Sequence, residues 1–148
     1  MKRHYARKVV ATLADVPFLF PQDETDRESS WYSLALRYDA RRAGGIPLKL
    51  FQEALLAEGL AEADIPSLTG PIGALPLFTE LSRAMPRLYR DWKPRRRDCP
   101  VSDGLGQSVI VFPVWGSEED EQMVNLYIEG LLKVCDAVRS GGLAGEAN

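Results

Sequence analysis

The stretch Ser30–Leu60, SWYSLALRYDARRAGGIPLKLFQEALLAEGL, contains the patterns that decide the fold. Its first part, Trp31–Tyr38, alternates along the chain. One face of this part carries Tyr32, Leu34, Leu36 and Tyr38. A period of two residues is typical of a β-strand that buries one face. We therefore predict a strand over Trp31–Tyr38, with Tyr32 on its apolar side.

A turn and a helix follow this strand. Gly44 and Gly45 break the alternation, and Pro47 suits the first turn of a helix because its missing N–H costs nothing there. Apolar residues then recur at helical spacing. They are Leu48, Phe51, Leu55 and Leu56. Gly59 stands where a left-handed C-terminal cap is expected. The stretch thus predicts an amphipathic helix that folds back on the strand.

Three further elements flank this unit. A helix is predicted over Lys2–Leu13, from its apolar face, and a buried strand over Val109–Phe112, from its β-branched and aromatic run. Ser117, with an acid three residues later, resembles a capping box and begins a helix that runs to about Val138. Between the first helix and the central strand, Asp15–Phe20 reads as a short apolar connector.

The order of these elements predicts an α/β (α+β) fold. It is a small sheet of few strands with helices covering one face. A chain of 148 residues suits one compact domain with its own core. We assign that domain to residues 1–139 and a disordered tail to residues 140–148.

The composition favours a cytoplasmic protein. The chain is 45% hydrophobic and 26% charged, with a net charge of -3, which gives no electrostatic case for nucleic acid or membranes. No apolar run approaches the length of a membrane span, and the basic N-terminus lacks the apolar core of a secretory signal. The two cysteines, Cys99 and Cys135, are far apart, so a disulfide framework is not expected.

Catalytic and metal-binding patterns are missing from the sequence. The single histidine, His4, has no partner for a Ser-His-Asp or Cys-His arrangement. Metal-ligand clusters and glycine-rich phosphate loops are also lacking. We therefore nominate no catalytic, cofactor-binding or metal-ligating residue.

The stretch Arg87–Arg97 is strongly basic and ends in Arg95, Arg96 and Arg97. Guanidinium groups pair well with phosphate oxygens, so a nucleotide diphosphate or an acidic partner would fit there. The alternative, which we favour, is a solvated loop with no ligand.

Several segments, taken in order, resemble the C-terminal small domain of the DegT/DnrJ/StrS family of pyridoxal-phosphate (PLP) sugar aminotransferases. The first is RYDARRAGGIPLKLFQEALLAEGL, which is similar to the family's strand, glycine turn and helix. The segments PIGALPLF and DCPVSD look like its "PLHRHPLF" loop and "CPVAE" segment. The run VIVFPVWGSEEDEQMVNLYIEGLLKV looks like its closing strand and last helix. The resemblance covers about residues 3–138.

The resemblance implies a homodimeric enzyme that moves an amino group from glutamate or glutamine to a keto-sugar or keto-cyclitol, with a nucleotide-sugar or cyclitol as substrate. In that family a large domain holds PLP through a Schiff-base lysine, and it would precede residue 1. None of the five lysines here lies in such a motif. We therefore expect this chain, without that domain or a dimer partner, to be inactive alone.

The resemblance also implies substrate-side contacts. The two histidines of "PLHRHPLF" fall on Gly73 and Leu75, and a histidine found near the strand start in many members falls on Tyr32. Our candidate substrate-binding residues are Tyr32, Gly73, Arg95, Arg96 and Arg97. The alternative function is an orphan, non-catalytic interaction module that binds an acidic or nucleotide partner through Arg87–Arg97.

Overall fold

The computed structural model describes residues 1–22, 24, 26, 28–66, 75–91 and 99–143. The chain divides into two compact units, each described by itself: Met1–Ile65 together with Ser108–Asn148, and Pro66–Gln107. The elements, in chain order, are α1 (Lys2–Thr12), β1 (Leu19–Pro21), β2 (Leu34–Tyr38), α2 (Leu48–Ala57), α3 (Pro76–Thr79), α4 (Leu81–Ala84), α5 (Pro86–Tyr89), α6 (Pro100–Gly106), β3 (Val109–Phe112), a 3-10 turn (Glu118–Asp120) and α7 (Glu121–Arg139).

The first unit contains an antiparallel sheet in the order β1-β2-β3. In this register, Leu36 of the central strand lies opposite Pro21 on one side and Ile110 on the other. One face of the sheet is buried together with side chains of α1, α2 and α7. A mixed fold with helices and a small three-stranded sheet confirms the predicted fold class.

The edge strand β1 corrects the sequence analysis, which predicted a connector over Asp15–Phe20. Leu19, Phe20 and Pro21 pair with β2 instead. Pro21 has no N–H to donate, and an edge strand tolerates this because one row of its backbone groups has no neighbouring strand. Three residues are too few to show a period of two, so the sequence carries no alternation signal here.

Tyr38 joins the sheet to α2. Its ring stacks on Phe51 of α2 with 5.0 Å between centroids, and Phe18 packs edge-on against both rings at 5.9 and 6.0 Å. The Tyr38 hydroxyl donates a hydrogen bond of 2.9 Å to the carbonyl of Ile46, at the end of the glycine turn. One side chain therefore fixes both the helix and the turn that leads into it.

The turn between β2 and α2 is built as predicted. Gly44 and Gly45 have φ angles of 71° and 87°, a region that side chains with a Cβ rarely enter. The Asp39 carboxylate accepts hydrogen bonds from the backbone N–H groups of Arg41 and Arg42, at 3.0 and 3.2 Å. This closes the turn and lets α2 run back along the sheet.

Helix α2 ends in the predicted left-handed cap, since Gly59 has a φ of 94°. Leu48, Phe51 and Leu55 are buried. Leu56 was predicted on the same face, but its side chain is 42% exposed. Two adjacent residues on a helix lie about 100° apart, so Leu55 and Leu56 cannot both face the sheet.

Helix α7 begins and packs as the sequence predicts. The Ser117 hydroxyl accepts a hydrogen bond from the Glu119 N–H at 3.3 Å, and the Asp120 carboxylate accepts one from the Ser117 N–H at 2.8 Å. This is the predicted capping box. The apolar stripe of this helix is buried along its whole length. It consists of Val124, Ile128, Leu131, Val134, Cys135 and Val138.

Backbone hydrogen bonds between Asp64 and Val111 join the two parts of the first unit that flank residues 66–107 in the sequence. The Asp64 N–H donates to the Val111 carbonyl at 3.0 Å, and the Val111 N–H donates back to the Asp64 carbonyl at 2.8 Å. Residues 64 and 111 lie just outside the second unit on its two sides. The chain thus leaves and re-enters the first unit at one isolated bridge.

The second unit contains short helices only, in the part of it that the structure describes. Helices α3, α4 and α5 have four residues each. Pro86 begins α5, where its missing N–H has no helical partner to lose. Helix α5 corrects part of the predicted basic loop, because Arg87 and Tyr89 are helical. Helix α6 begins at Pro100 and has seven residues.

The assignment of one domain to residues 1–139 and a tail to 140–148 stays a prediction. Gly141 has a φ of 75°, in the predicted stop that follows α7. Residues 144–148 lie outside the described part of the chain.

Leu55 and Leu56 provide a matched pair that tests the packing of α2. Leu55 is 0% exposed and Leu56 is 42% exposed. We expect Leu55→Ala to lower the free energy of unfolding by about 2–5 kcal/mol, because it leaves a cavity in the core. Leu56→Ala should lower it by about 1 kcal/mol or less. Urea unfolding of both variants checks this, and equal losses would contradict the orientation of α2.

Candidate functional site

The structure places Tyr32 at the surface, ahead of the sheet. Its side chain is 96% exposed, whereas that of Trp31 is 4% exposed. Trp31 has a φ of 49°, a left-handed conformation that is uncommon for a residue other than glycine. This reverses the predicted faces of the two residues and delays β2 to Leu34, so the predicted strand is wrong at its first three residues. The faces of Leu34, Leu36 and Tyr38 are as predicted.

Trp31 carries a buried donor that has no acceptor among the described residues. Its indole Nε1 has no hydrogen-bond partner there, while its backbone N–H donates to the Ser29 hydroxyl at 3.4 Å. A buried N–H without an acceptor costs free energy. The segment thus combines unusual backbone geometry with an unpaired polar group, next to the exposed Tyr32.

The other predicted substrate contacts cannot be placed relative to Tyr32. Gly73, Arg95, Arg96 and Arg97 lie outside the described residues. Arg87 and Arg90 are described, and both are exposed, in α5 and directly after it. The basic stretch as an anion site therefore stays a prediction.

Sequence analysis missed a recess on the other side of the sheet. We call this side the open face; it is formed by Phe20, Ala35, Arg37, Val109 and Val111. A recess of about 310 Å³ lies there, lined by residues of all three strands and by Gln22. The sequence feature that could have indicated this recess is an arginine at an outward-facing position of the central strand.

Arg37 and Arg42 both stack on the Phe20 ring. Their guanidinium carbons lie 5.0 and 5.1 Å from its centroid. A cation in this position is attracted electrostatically by the quadrupole of the ring. Arg42 is also paired with the Asp39 carboxylate at 3.6 Å. Two positive charges therefore lie beside Phe20 of the open face, and Arg42 is the more neutralised of the two.

The described residues do not fit PLP. Lys8, Lys49 and Lys133 pair with glutamates at 3.4, 3.9 and 2.6 Å, and Lys2 is exposed on α1. Lys133 lines a recess of about 230 Å³, but that recess contains no aromatic ring and its ammonium is engaged by Glu58. The fifth lysine, Lys93, lies outside the described part. We derive no step through the cofactor from these residues.

Two buried groups have raised pKa values. Burial raises the pKa of the Tyr38 hydroxyl from 10.0 to about 12, with a smaller contribution from the Cys135 charge. Burial also raises the pKa of the Cys135 thiol from 9.0 to about 12. Both groups are neutral near pH 7, so neither provides a thiolate or phenolate for chemistry. They belong to the core.

Metal ligation and membrane insertion find no support in the described residues. No three His, Cys, Asp or Glu side chains there are grouped to hold a metal ion. None of the helices in the same part of the chain has the length and apolar character of a membrane span.

Comparison with known proteins finds similarity among solved structures. No family model matches the sequence, and no curated protein matches it significantly. The fold itself matches part of a PLP-containing sugar enzyme. That enzyme is the E. coli GDP-4-keto-6-deoxy-D-mannose-3-dehydratase with bound hydrated PLP, which aligns at a TM-score of 0.58 and 20% sequence identity. The alignment covers 88% of this chain and 30% of the dehydratase chain, and at this identity it establishes the fold.

The reversed faces of Trp31 and Tyr32 are testable by truncation. We expect Trp31→Ala to lower the free energy of unfolding by about 3–5 kcal/mol, because a buried ring is removed. Tyr32→Ala should change it by about 0.5 kcal/mol or less, because its ring is in solvent. Chemical unfolding monitored by circular dichroism measures both. A large loss of unfolding free energy for Tyr32→Ala would mean that its ring is packed in the core, which would contradict this orientation.

The raised pKa values predict alkaline destabilisation. In the unfolded chain the Cys135 thiol ionises near 9.0 and the Tyr38 phenol near 10.0, while both remain neutral in the folded chain up to about 12. Their contribution to stability is thus complete below pH 9 and is lost between about pH 9 and 12. Urea unfolding at several pH values measures this.

The matched control for the alkaline effect is the second cysteine. Cys135→Ala should reduce the dependence of unfolding free energy on pH above 9, whereas Cys99→Ala, at an exposed thiol, should leave it unchanged. If the unfolding free energies of the two variants depend on pH in the same way above pH 9, the burial of Cys135 does not cause the alkaline destabilisation.

Proposed function

We propose that this chain is the C-terminal small-domain portion of a PLP-dependent sugar enzyme of the DegT/DnrJ/StrS aminotransferase type. The observation that supports the proposal best is the fold match, which extends over 88% of this chain. It is joined by the ordered sequence resemblance over about residues 3–138. The reaction we propose for the whole enzyme is amino transfer from glutamate or glutamine to a keto-sugar or keto-cyclitol.

In this proposal the cofactor belongs to residues outside this chain, in the same polypeptide or in a partner. The described lysines support that division, because three of the four are held in ion pairs at the surface. The alignment covers only 30% of the dehydratase chain, which leaves ample length for a cofactor-binding part. When bound, PLP would supply the electron sink for amino transfer.

The contribution of this chain is positional. The stacked core around Tyr38 and Phe51 provides a rigid support, and Tyr32 stands at its surface with a free ring edge. A surface tyrosine offers a hydroxyl that both donates and accepts hydrogen bonds, which suits a sugar hydroxyl. We propose that Tyr32 contacts substrate in the assembled enzyme, where a dimer partner or a large domain would enclose it.

The test follows the cofactor in protein purified from the source cells with an antibody against residues 1–148. Borohydride fixes PLP to its lysine, and peptide mass spectrometry then locates the modified residue. We expect the modification on a lysine outside this chain, in a fused or co-purifying segment. The pure 148-residue chain, treated in the same way, should show no stoichiometric modification at any single lysine.

Two outcomes would contradict the proposal. One is purified material without any PLP-modified lysine, which would remove the cofactor chemistry. The other is full modification of Lys2, Lys8, Lys49, Lys93 or Lys133, which would make this chain its own cofactor domain. Production of 2-oxoglutarate from glutamate by the purified material, dependent on a keto-sugar, would support amino transfer in particular.

A further inference from the structure

The open face has Arg37 at its centre. In the sheet register, Arg37 lies opposite Phe20 of β1 and Val109 of β3, so the three side chains form one row across the strands. The next row along β2 contains Ala35, opposite Val111. Alanine has a small side chain, and Ala35 lines the recess of about 310 Å³ together with Arg37 and Val109.

The Arg37 guanidinium has no ion-pair partner within the described residues. No carboxylate among them lies within ion-pair distance of it, whereas Arg42 beside it is paired with Asp39. The Arg37 guanidinium carbon lies over the Phe20 ring, 5.0 Å from the centroid, in a cation–π contact. The planar fork of N–H donors on a guanidinium suits a two-point hydrogen bond to a carboxylate or phosphate.

The walls of the recess determine what kind of anion fits. Phe20, Ala35 and Val109 provide apolar surface, and Gln22 adds an amide that can donate or accept. The volume of about 310 Å³ is at the lower end of the range for small-molecule sites. A bare inorganic ion would leave most of this surface unused.

We propose that the recess binds a small organic anion. Arg37 holds the carboxylate or phosphate group of this ligand, and its apolar part lies over Ala35 and against Val109. The inference does not rest on the proposed function, because every residue involved belongs to the described sheet or adjoins it. It assigns Arg37 a binding role that none of the predicted substrate contacts included.

The test uses three probes that share one ring. Benzoate carries a carboxylate, phenyl phosphate carries a phosphate, and benzamide is neutral. They are titrated into the 148-residue chain at constant ionic strength, and backbone amide signals are followed by NMR. We expect saturable shifts at Phe20, Ala35, Arg37 and Val109 with at least one anion and none with benzamide. The anion that saturates at the lower concentration identifies the preferred group.

Four variants separate a built site from general charge attraction. Arg37→Gln should weaken anion binding about tenfold, the size of one lost charged hydrogen bond. Arg37→Lys keeps the charge without the paired donors and should bind with intermediate affinity. Ala35→Leu should weaken binding by filling the recess. Arg41→Gln, at an exposed arginine that does not line the recess, is the matched control and should bind as the parent does.

The proposal is overturned by any of three results. These are no saturable shift with either anion, unchanged binding in Arg37→Gln, or equal weakening in Arg41→Gln. Thermal unfolding of each variant shows that it is folded. If Ala35→Leu fails to fold, the two Arg37 variants still decide, because they alter an exposed side chain on a strand that remains paired on both sides.

Discussion

The contact between Tyr38 and Phe51 is the constraint on which the rest of the first unit depends. Stacking at 5.0 Å fixes α2 against the sheet, and the hydrogen bond to Ile46 fixes the turn between them. With α2 in place, Leu48 and Leu55 reach the core, and α7 packs its apolar stripe in the same cluster. A buried tyrosine is suited to this because its ring is apolar while its hydroxyl satisfies a backbone carbonyl that would otherwise lack a partner.

The sequence predicts those parts of the fold whose signals are local. The glycine turn, the cap at Gly59, the strand Val109–Phe112 and the start of α7 at Ser117 each have a residue type that their geometry demands. Leu19–Pro21 has no such signal, because its strand character comes from pairing with β2. The reversed faces of Trp31 and Tyr32 also could not be predicted from the sequence. The positive φ of Trp31 is uncommon for that residue type, and such a conformation depends on tertiary contacts.

The two candidate sites, at Tyr32 and Arg37, also differ in whether the sequence alone could nominate them. Tyr32 was nominated through a family resemblance, and its exposed position is compatible with contact to a ligand. Arg37 was not nominated, since an isolated arginine in a strand is ordinarily a solvated charge. Its interest arises from register, which places it beside Phe20 and over a recess that three strands build together. Register between distant strands is a long-range property that a period of two along one strand does not contain.

The isolated bridge between Asp64 and Val111 has a consequence for how this chain can vary. It pins together the two points at which residues 66–107 depart from and return to the first unit. The loop they close can change length at a small entropic cost, about 0.6 kcal/mol for each doubling. A change in the length of residues 66–107 therefore leaves the paired ends of the first unit, and the core that its sheet and three helices share, in place.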